Sequence, residues 1–191
     1  ASTQDIAVRR AIIKNIAPIV DSIGINEREA IDILEVIDEQ KLAEECEKET
    51  HSVCLFRALL RIKRALKAPR IQLHMFGLYI TVQDKGFAIS PEANLRGMMT
   101  AATVAAGKAG TGSVNEAKNL LWAQGKEVSD IGLKELEDLA AFVNDEKLTE
   151  TGIGGFEGYG VIAVPTILVE KPVTLVGMGD TISSISLITA R

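Results

Sequence analysis

Strand-like and helix-like segments alternate along this chain of 191 residues, which predicts an α/β fold with a mostly parallel sheet covered by helices on both faces. Three observations carry that prediction. Apolar runs such as Ser22 to Ile25 and Tyr159 to Val164 are too short for helices. Longer segments between them space their apolar residues at helical intervals. The junctions are punctuated by Gly, Pro, Asn and Asp. A late pair of runs, Tyr159 to Val164 and Ile167 to Val169, is close enough to predict an antiparallel hairpin.

In order, Ile6 to Val20 reads as a helix packed on the sheet. Ser22 to Ile25 follows as a buried parallel strand, and Asn26 starts a helix through about Ile37 with Ala30, Ile31, Ile33, Leu34 and Ile37 inward. The charged stretch Asp38 to Thr50 fits either a helix or a connection. His51 to Lys67 is an amphipathic helix stopped before Pro69, and Arg70 to Gln83 gives one or two strands, with a break permitted at Gly77 and a turn at Asp84-Lys85-Gly86. Pro91 to Lys108, rich in alanine, suits a helix held close to a neighbour, and Gly110-Thr111-Gly112-Ser113 ends it. Val114 to Gln124 and Leu133 to Asn144 supply two more helices before a Gly-rich loop from Gly152.

The length suits about one domain, and 47% hydrophobic content is enough for a core. A net charge of -5 argues against a nucleic-acid partner, which needs a concentrated basic face. The basic residues Arg57, Arg61, Lys63, Arg64, Lys67 and Arg70 read as the solvated side of an amphipathic helix. No apolar stretch is long enough for a membrane span and no secretory signal opens the chain, so the cytoplasm is the expected location. Cys46 and Cys54 match neither a redox nor a zinc spacing and are expected as free thiols. The 2 histidines are too few for a His-based metal site.

The last twenty residues carry the chemistry. Lys171 to Val176 reads as an extended run that breaks into Gly177-Met178-Gly179-Asp180, followed by a helix begun at Thr181. The glycines allow close approach of the backbone, and unpaired N–H groups at the helix start would hold an anion. Asp180 is either the helix N-cap or a base that accepts a proton from a substrate hydroxyl. Near the other end, Asn26-Glu27-Arg28-Glu29 opens a helix after a short strand. There Asn26 suits an N-cap and Glu29 the third position of a capping box. Gly152-x-Gly154-Gly155-x-x-Gly158 only approximates a dinucleotide loop, and no phosphate-binding Walker motif is present.

Together, Ser22-Ile23-Gly24-Ile25-Asn26-Glu27 and Pro172-Val173-Thr174-Leu175-Val176-Gly177-Met178-Gly179-Asp180-Thr181-Ile182-Ser183-Ser184 resemble the ADP-dependent sugar kinases of the ribokinase-like superfamily. The resemblance extends to Arg70 through Tyr79, Gly152 through Tyr159, and Val164-Pro165-Thr166, so it spans nearly the whole chain. It departs at Met75, where the family has a hydroxyl residue, and at Ile185-Ser186-Leu187 in the final helix.

The resemblance implies a three-layer α/β/α nucleotide domain of which residues 1–191 are the C-terminal part, with the N-terminal part and sugar-binding lid absent. The chain opens at Ala1 without an initiator Met, and Ala1 to Asp5 is similar to a family segment that follows a central strand. The implied reaction transfers the terminal phosphoryl of ADP to a sugar or sugar-phosphate hydroxyl, fructose 6-phosphate being preferred over glucose, and releases AMP. Asp180 would be the general base, with an anion hole from the N–H groups of Gly177, Met178 and Gly179. His74, Ile153, Gly154, Tyr159 and Val176 would help bind the nucleotide, and Glu29 with Asn26 would hold Mg2+. The alternative is a non-catalytic nucleotide-binding or regulatory fragment.

Overall fold

The computed structural model describes residues 5–190, so the Ala1 to Gln4 part of the N-terminal resemblance lies outside the described residues. Helix α1 (Ile6–Asn15) and a short 3-10 turn precede β1 (Ser22–Asn26), followed by α2 (Glu27–Val36), α3 (Gln40–Lys48) and α4 (Ser52–Leu66). Strands β2 (Arg70–His74) and β3 (Leu78–Asp84) then lead to α5 (Pro91–Thr111), α6 (Ala117–Gln124), α7 (Asp130–Val143) and α8 (Lys147–Thr151). The chain ends with β4 (Ile153–Phe156), β5 (Tyr159–Pro165) and α9 (Met178–Ile188).

Among the described residues the sheet has five strands in the order β1-β2-β3-β5-β4. Only β1 and β2 are parallel; the other neighbours are antiparallel, which corrects the expectation of a mostly parallel sheet. The reason is local. After β2 the chain turns back at Gly77, whose φ is +88°, instead of crossing over through a helix. The hairpin also differs from expectation, because β4 rather than Ile167 to Val169 pairs with β5. Ile167 instead forms an isolated bridge with Val128. The sequence that reads as a Gly-rich loop is thus an edge strand, closed by left-handed Glu157 and Gly158.

Alternation along the strands separates two apolar layers. Ile25, Ile71, Leu73, Leu78, Ile80, Val82, Val161 and Ala163 face α2, α3, α4 and α7 in the larger core. Tyr79, Ile162 and Val164 pack with Met98, Ala101, Ala102, Ala105 and Ile182 of α5 and α9 in a smaller one. The result is the three-layer α/β/α arrangement expected from the sequence.

The α5/α9 side of β1 and β2 is polar, and its helices sit close. A Cβ on Gly24 would overlap the Ser183 hydroxyl, so α9 rests directly on β1. Ser186 Oγ donates to Gln72 Oε1 at 2.6 Å. Arg70 is 1% exposed and donates to Ser22 Oγ, Gln72 Oε1 and Asn94 Oδ1. Burial pushes its pKa down to about 10. Lys63 is buried too, donating to Ala68 O, Pro69 O and Asp84 Oδ1. These two cations therefore depart from the solvated face expected of the basic cluster, whereas Arg57, Arg61 and Arg64 keep exposed partners in Glu45, Glu39 and Glu157.

Cys46 and Cys54 form a disulfide rather than remaining free thiols. Helices α3 and α4 meet at a short turn, which brings the two Cα atoms to 5.5 Å. Sequence spacing does not show that juxtaposition, because it depends on where the turn falls.

Candidate functional site

The site lies where the parallel strands β1 and β2 end. Asn26 and His74 are register partners there, and β1 runs directly into α2. Asn26 caps that helix: its Oδ1 accepts from Glu29 N at 2.9 Å, and Glu29 Oε2 accepts from Asn26 N at 3.0 Å. Glu27, at the first helical position, accepts from Phe76 N at 2.6 Å and so fastens the β2–β3 turn to α2. The same turn receives Thr166 N on Gly77 O at 2.8 Å.

Helix α9 presents its N-terminus to these strand ends. Gly177 is its N-cap in the left-handed region with φ 66°, and Asp180 lies in the first turn. The expected start at Thr181 moves back to Met178, so Asp180 is not the N-cap. The first-turn N–H groups of Met178, Gly179 and Asp180 have no partner within the helix, although Met178 N reaches Leu175 O at 3.4 Å. The expected donors Gly177, Met178 and Gly179 thus sit at the cap and in the first turn, and the N–H of Asp180 joins them there. Asp180 itself is exposed.

His74 stands beside this turn, 8% exposed, and its Nδ1 has no hydrogen-bond partner. Burial lowers its pKa, while the carboxylates of Glu29, Glu27 and Asp180 oppose the shift. The imidazole is therefore neutral at pH 7 and able to donate from one nitrogen and accept at the other. Burial, with a smaller push from Glu27, also raises the Tyr79 phenol.

A groove of about 630 Å³ extends from these groups. Its polar end is lined by Asn26, Glu27, His74 and Gly179, and its apolar end runs between the alanines of α5 and the segment after β5. Ala105, Ala106 and Ala109 line that end with no side chain beyond Cβ. An apolar wall of small side chains that opens onto backbone donors and an imidazole has the chemistry for a heterocycle at one end and phosphate at the other.

The predicted residues divide. Asn26, His74, Met178 and Gly179 line the groove, whereas Gly177 and Asp180, their neighbours in the α9 cap and first turn, are not part of the lining. Val176 is 82% exposed beside Gly177 and is not part of the lining. Ile153, Gly154 and Tyr159 are not brought to the groove. Tyr159 pairs with Asp84, at the opposite end of β5 from Pro165, and its ring lies under the ammonium of Lys63. The glycines there serve the hairpin: Gly155 N donates to Asp145 Oδ2 at 3.0 Å, and a Cβ on Gly154 would approach that same oxygen.

Glu29 lines a separate apolar cleft under α1 and reaches the groove only through Asn26. Among the described residues no group of three or more His, Cys, Asp or Glu side chains could hold a metal ion. Asn26 and Glu29 are committed to each other in the helix cap and Glu27 to Phe76 N, so a Mg2+ beside them would be held through ordered water rather than by direct ligation. Glu27 and the α5 contacts are features that sequence reasoning missed. The Glu27 signal, an acidic residue directly after an N-cap, is visible only as helix-dipole chemistry.

Residues 1–189 match the family model described as the ADP-specific phosphofructokinase/glucokinase conserved region. The ADP-dependent glucose/glucosamine kinase of Pyrococcus furiosus is 32% identical over 187 residues, covering 96% of this chain and 39% of the relative. The ADP-specific phosphofructokinase of Pyrococcus abyssi is 31% identical, covering 99% of this chain and 40% of its own length. Among solved structures, the last common ancestor of ADP-dependent phosphofructokinases from Methanosarcinales superposes with a TM-score of 0.92 at 31% identity, over 100% of this chain and 41% of that one. An ADP-dependent kinase in complex with fructose-6-phosphate and ADPbetaS gives 0.92 at 31% identity, over 100% and 43%. The chain thus spans about two fifths of the relatives it matches. With a family match over nearly its full length and the same fold around the α9 turn, this chain belongs to the ADP-specific phosphofructokinase/glucokinase family.

Proposed function

We propose that this chain is the C-terminal part of the nucleotide-binding domain of a cytoplasmic kinase. That kinase would transfer the terminal phosphoryl of ADP to a hydroxyl of fructose 6-phosphate, with glucose as the other acceptor, and release AMP. The observation that carries the reading is the position of Asp180, exposed in the first turn of a helix whose free N–H groups open beside neutral His74. Phosphoryl transfer is catalysed mainly by positioning and charge stabilisation. The N–H groups of Gly177, Met178 and Gly179, with that of Asp180 beside them, would hold the transferring phosphoryl group, each preorganised donor of this kind contributing about 3 kcal/mol. Asp180 would take the proton of the attacking hydroxyl, and the alanine-lined end of the groove would seat the base. Mg2+ when bound would neutralise phosphate charge, with Glu29 and Asn26 holding it through ordered water.

The experiment is a calorimetric titration of this chain with Mg-ADP, Mg-ATP and AMP. Binding of ADP and AMP with clearly weaker ATP supports the reading, and a folded chain that binds none of them refutes it. In a full-length parent, Asp180→Asn removes turnover and leaves ADP affinity largely intact, whereas equal loss of both would remove Asp180 from the role of base.

A further inference from the structure

Lys108 sits in the last turn of α5, and its ammonium reaches across to α9. Its Nζ donates to Thr181 Oγ1 at 2.9 Å and to Gly177 O at 3.2 Å. Thr181 Oγ1 in turn donates to the same Gly177 carbonyl at 2.8 Å. The three groups close a small ring around the N-cap of α9. One residue further along α5, Ala109 O accepts from Val173 N at 2.6 Å, so this turn of α5 fastens the segment before α9 at both its ends. The C-terminus of α5 favours this cation while the N-terminus of α9, the positive end of that helix's dipole, disfavours it. An anion in the turn would offset the second effect.

We propose that Lys108 is a positioning residue for the terminal phosphate of the nucleotide. It acts through Gly177 and Thr181 by fixing the left-handed N-cap, so that the N–H groups of Gly179 and Asp180 converge on one point. The inference rests on the nucleotide reading above. It adds a residue that no local motif identifies, on a different helix from the turn it orders.

The test compares ADP with AMP, since only ADP carries the phosphate that would lie over α9. Calorimetric titration of this chain is made with both nucleotides for the unaltered protein and for Lys108→Met, Lys108→Arg and Thr181→Val. Lys108→Met lowers the ratio of ADP to AMP affinity by about tenfold. Lys108→Arg restores part of that ratio, and Thr181→Val shifts it in the same direction by a smaller factor. A merely structural role weakens both nucleotides alike, so an unchanged ratio in Lys108→Met and Thr181→Val overturns the proposal. Should Lys108→Met fail to fold by circular dichroism, Thr181→Val, which keeps the side-chain shape, decides alone. If the unaltered chain binds neither nucleotide, the nucleotide reading itself fails and this inference falls with it; if it binds both and the variants keep its ratio, only Lys108 is refuted.

Discussion

His74 and Gly179 are in such close contact that a Cβ on residue 179 would lie 2.7 Å from His74 Nε2. Because His74 is buried, its ring has little room to retreat. Gly179→Ala should therefore tilt the first turn of α9 away from the strand ends. The expected cost is about 1–3 kcal/mol of stability, together with a larger proportional loss of ADP than of AMP affinity. Urea unfolding and titration of the same preparation check both parts, and an alanine variant with unaltered binding would show that the contact is slack.

The same histidine makes stability depend on pH. Its pKa in the folded chain is below the ordinary 6.5, so as pH falls through about 6.5 the unfolded chain takes up a proton that the folded chain does not. Stability is complete above that value and is lost on acidification until the folded pKa is passed. His74→Gln should flatten this part of the profile. Urea midpoints at about pH 5 and pH 7.5 measure it, and parallel curves for the two proteins would refute it.

Reduction should weaken the fold. The Cys46–Cys54 bridge ties α3 to α4, and a loop this short predicts about 2–3 kcal/mol of stabilisation, or roughly 5–10 °C in Tm. A double Cys46→Ala, Cys54→Ala variant should melt at the lower temperature with or without reductant. A melting point of the unaltered chain that ignores reductant would show that the bridge does not stabilise it.

Tyr159 provides a contrast. Its ring carries the ammonium of Lys63 at 4.9 Å and the guanidinium of Arg64 at 5.9 Å, far along β5 from the groove. Tyr159→Leu should cost about 0.5–2 kcal/mol of stability while AMP affinity stays within about twofold. A tenfold loss of AMP binding without unfolding would return Tyr159 to the nucleotide site.

What the sequence revealed is local in character. The Asn26 cap with its Glu29 partner, the strand ending in His74 and the glycines before Asp180 each lie within a few residues, and each is found where expected. Helix positions were legible for the same reason, since spacing encodes one face. Strand direction was not, because the reversal at Gly77 depends on backbone conformation rather than on pattern. Nor was the burial of Lys63 and Arg70, whose partners Asp84 and Asn94 lie 21 and 24 residues away. Lys108 and Glu27 stayed hidden likewise, since Thr181 and Phe76 are 73 and 49 residues from them. Glycines misled in β4, where the run that reads as a loop is the edge strand of a hairpin.

The β2–β3 turn has a kinetic consequence. Phe76 N is held by Glu27, Gly77 O by Thr166 N, and the backbone of Gly132 at the start of α7 packs against Gly77 so tightly that a Cβ there would collide with its carbonyl. The polar end of the groove thus takes shape only after segments from both ends of the chain have met. Loops that long close late, after the local helices and hairpins have formed. A refolding chain would therefore regain its helical signal before the polar end of the groove is assembled, so completion of the groove marks the final stage of folding.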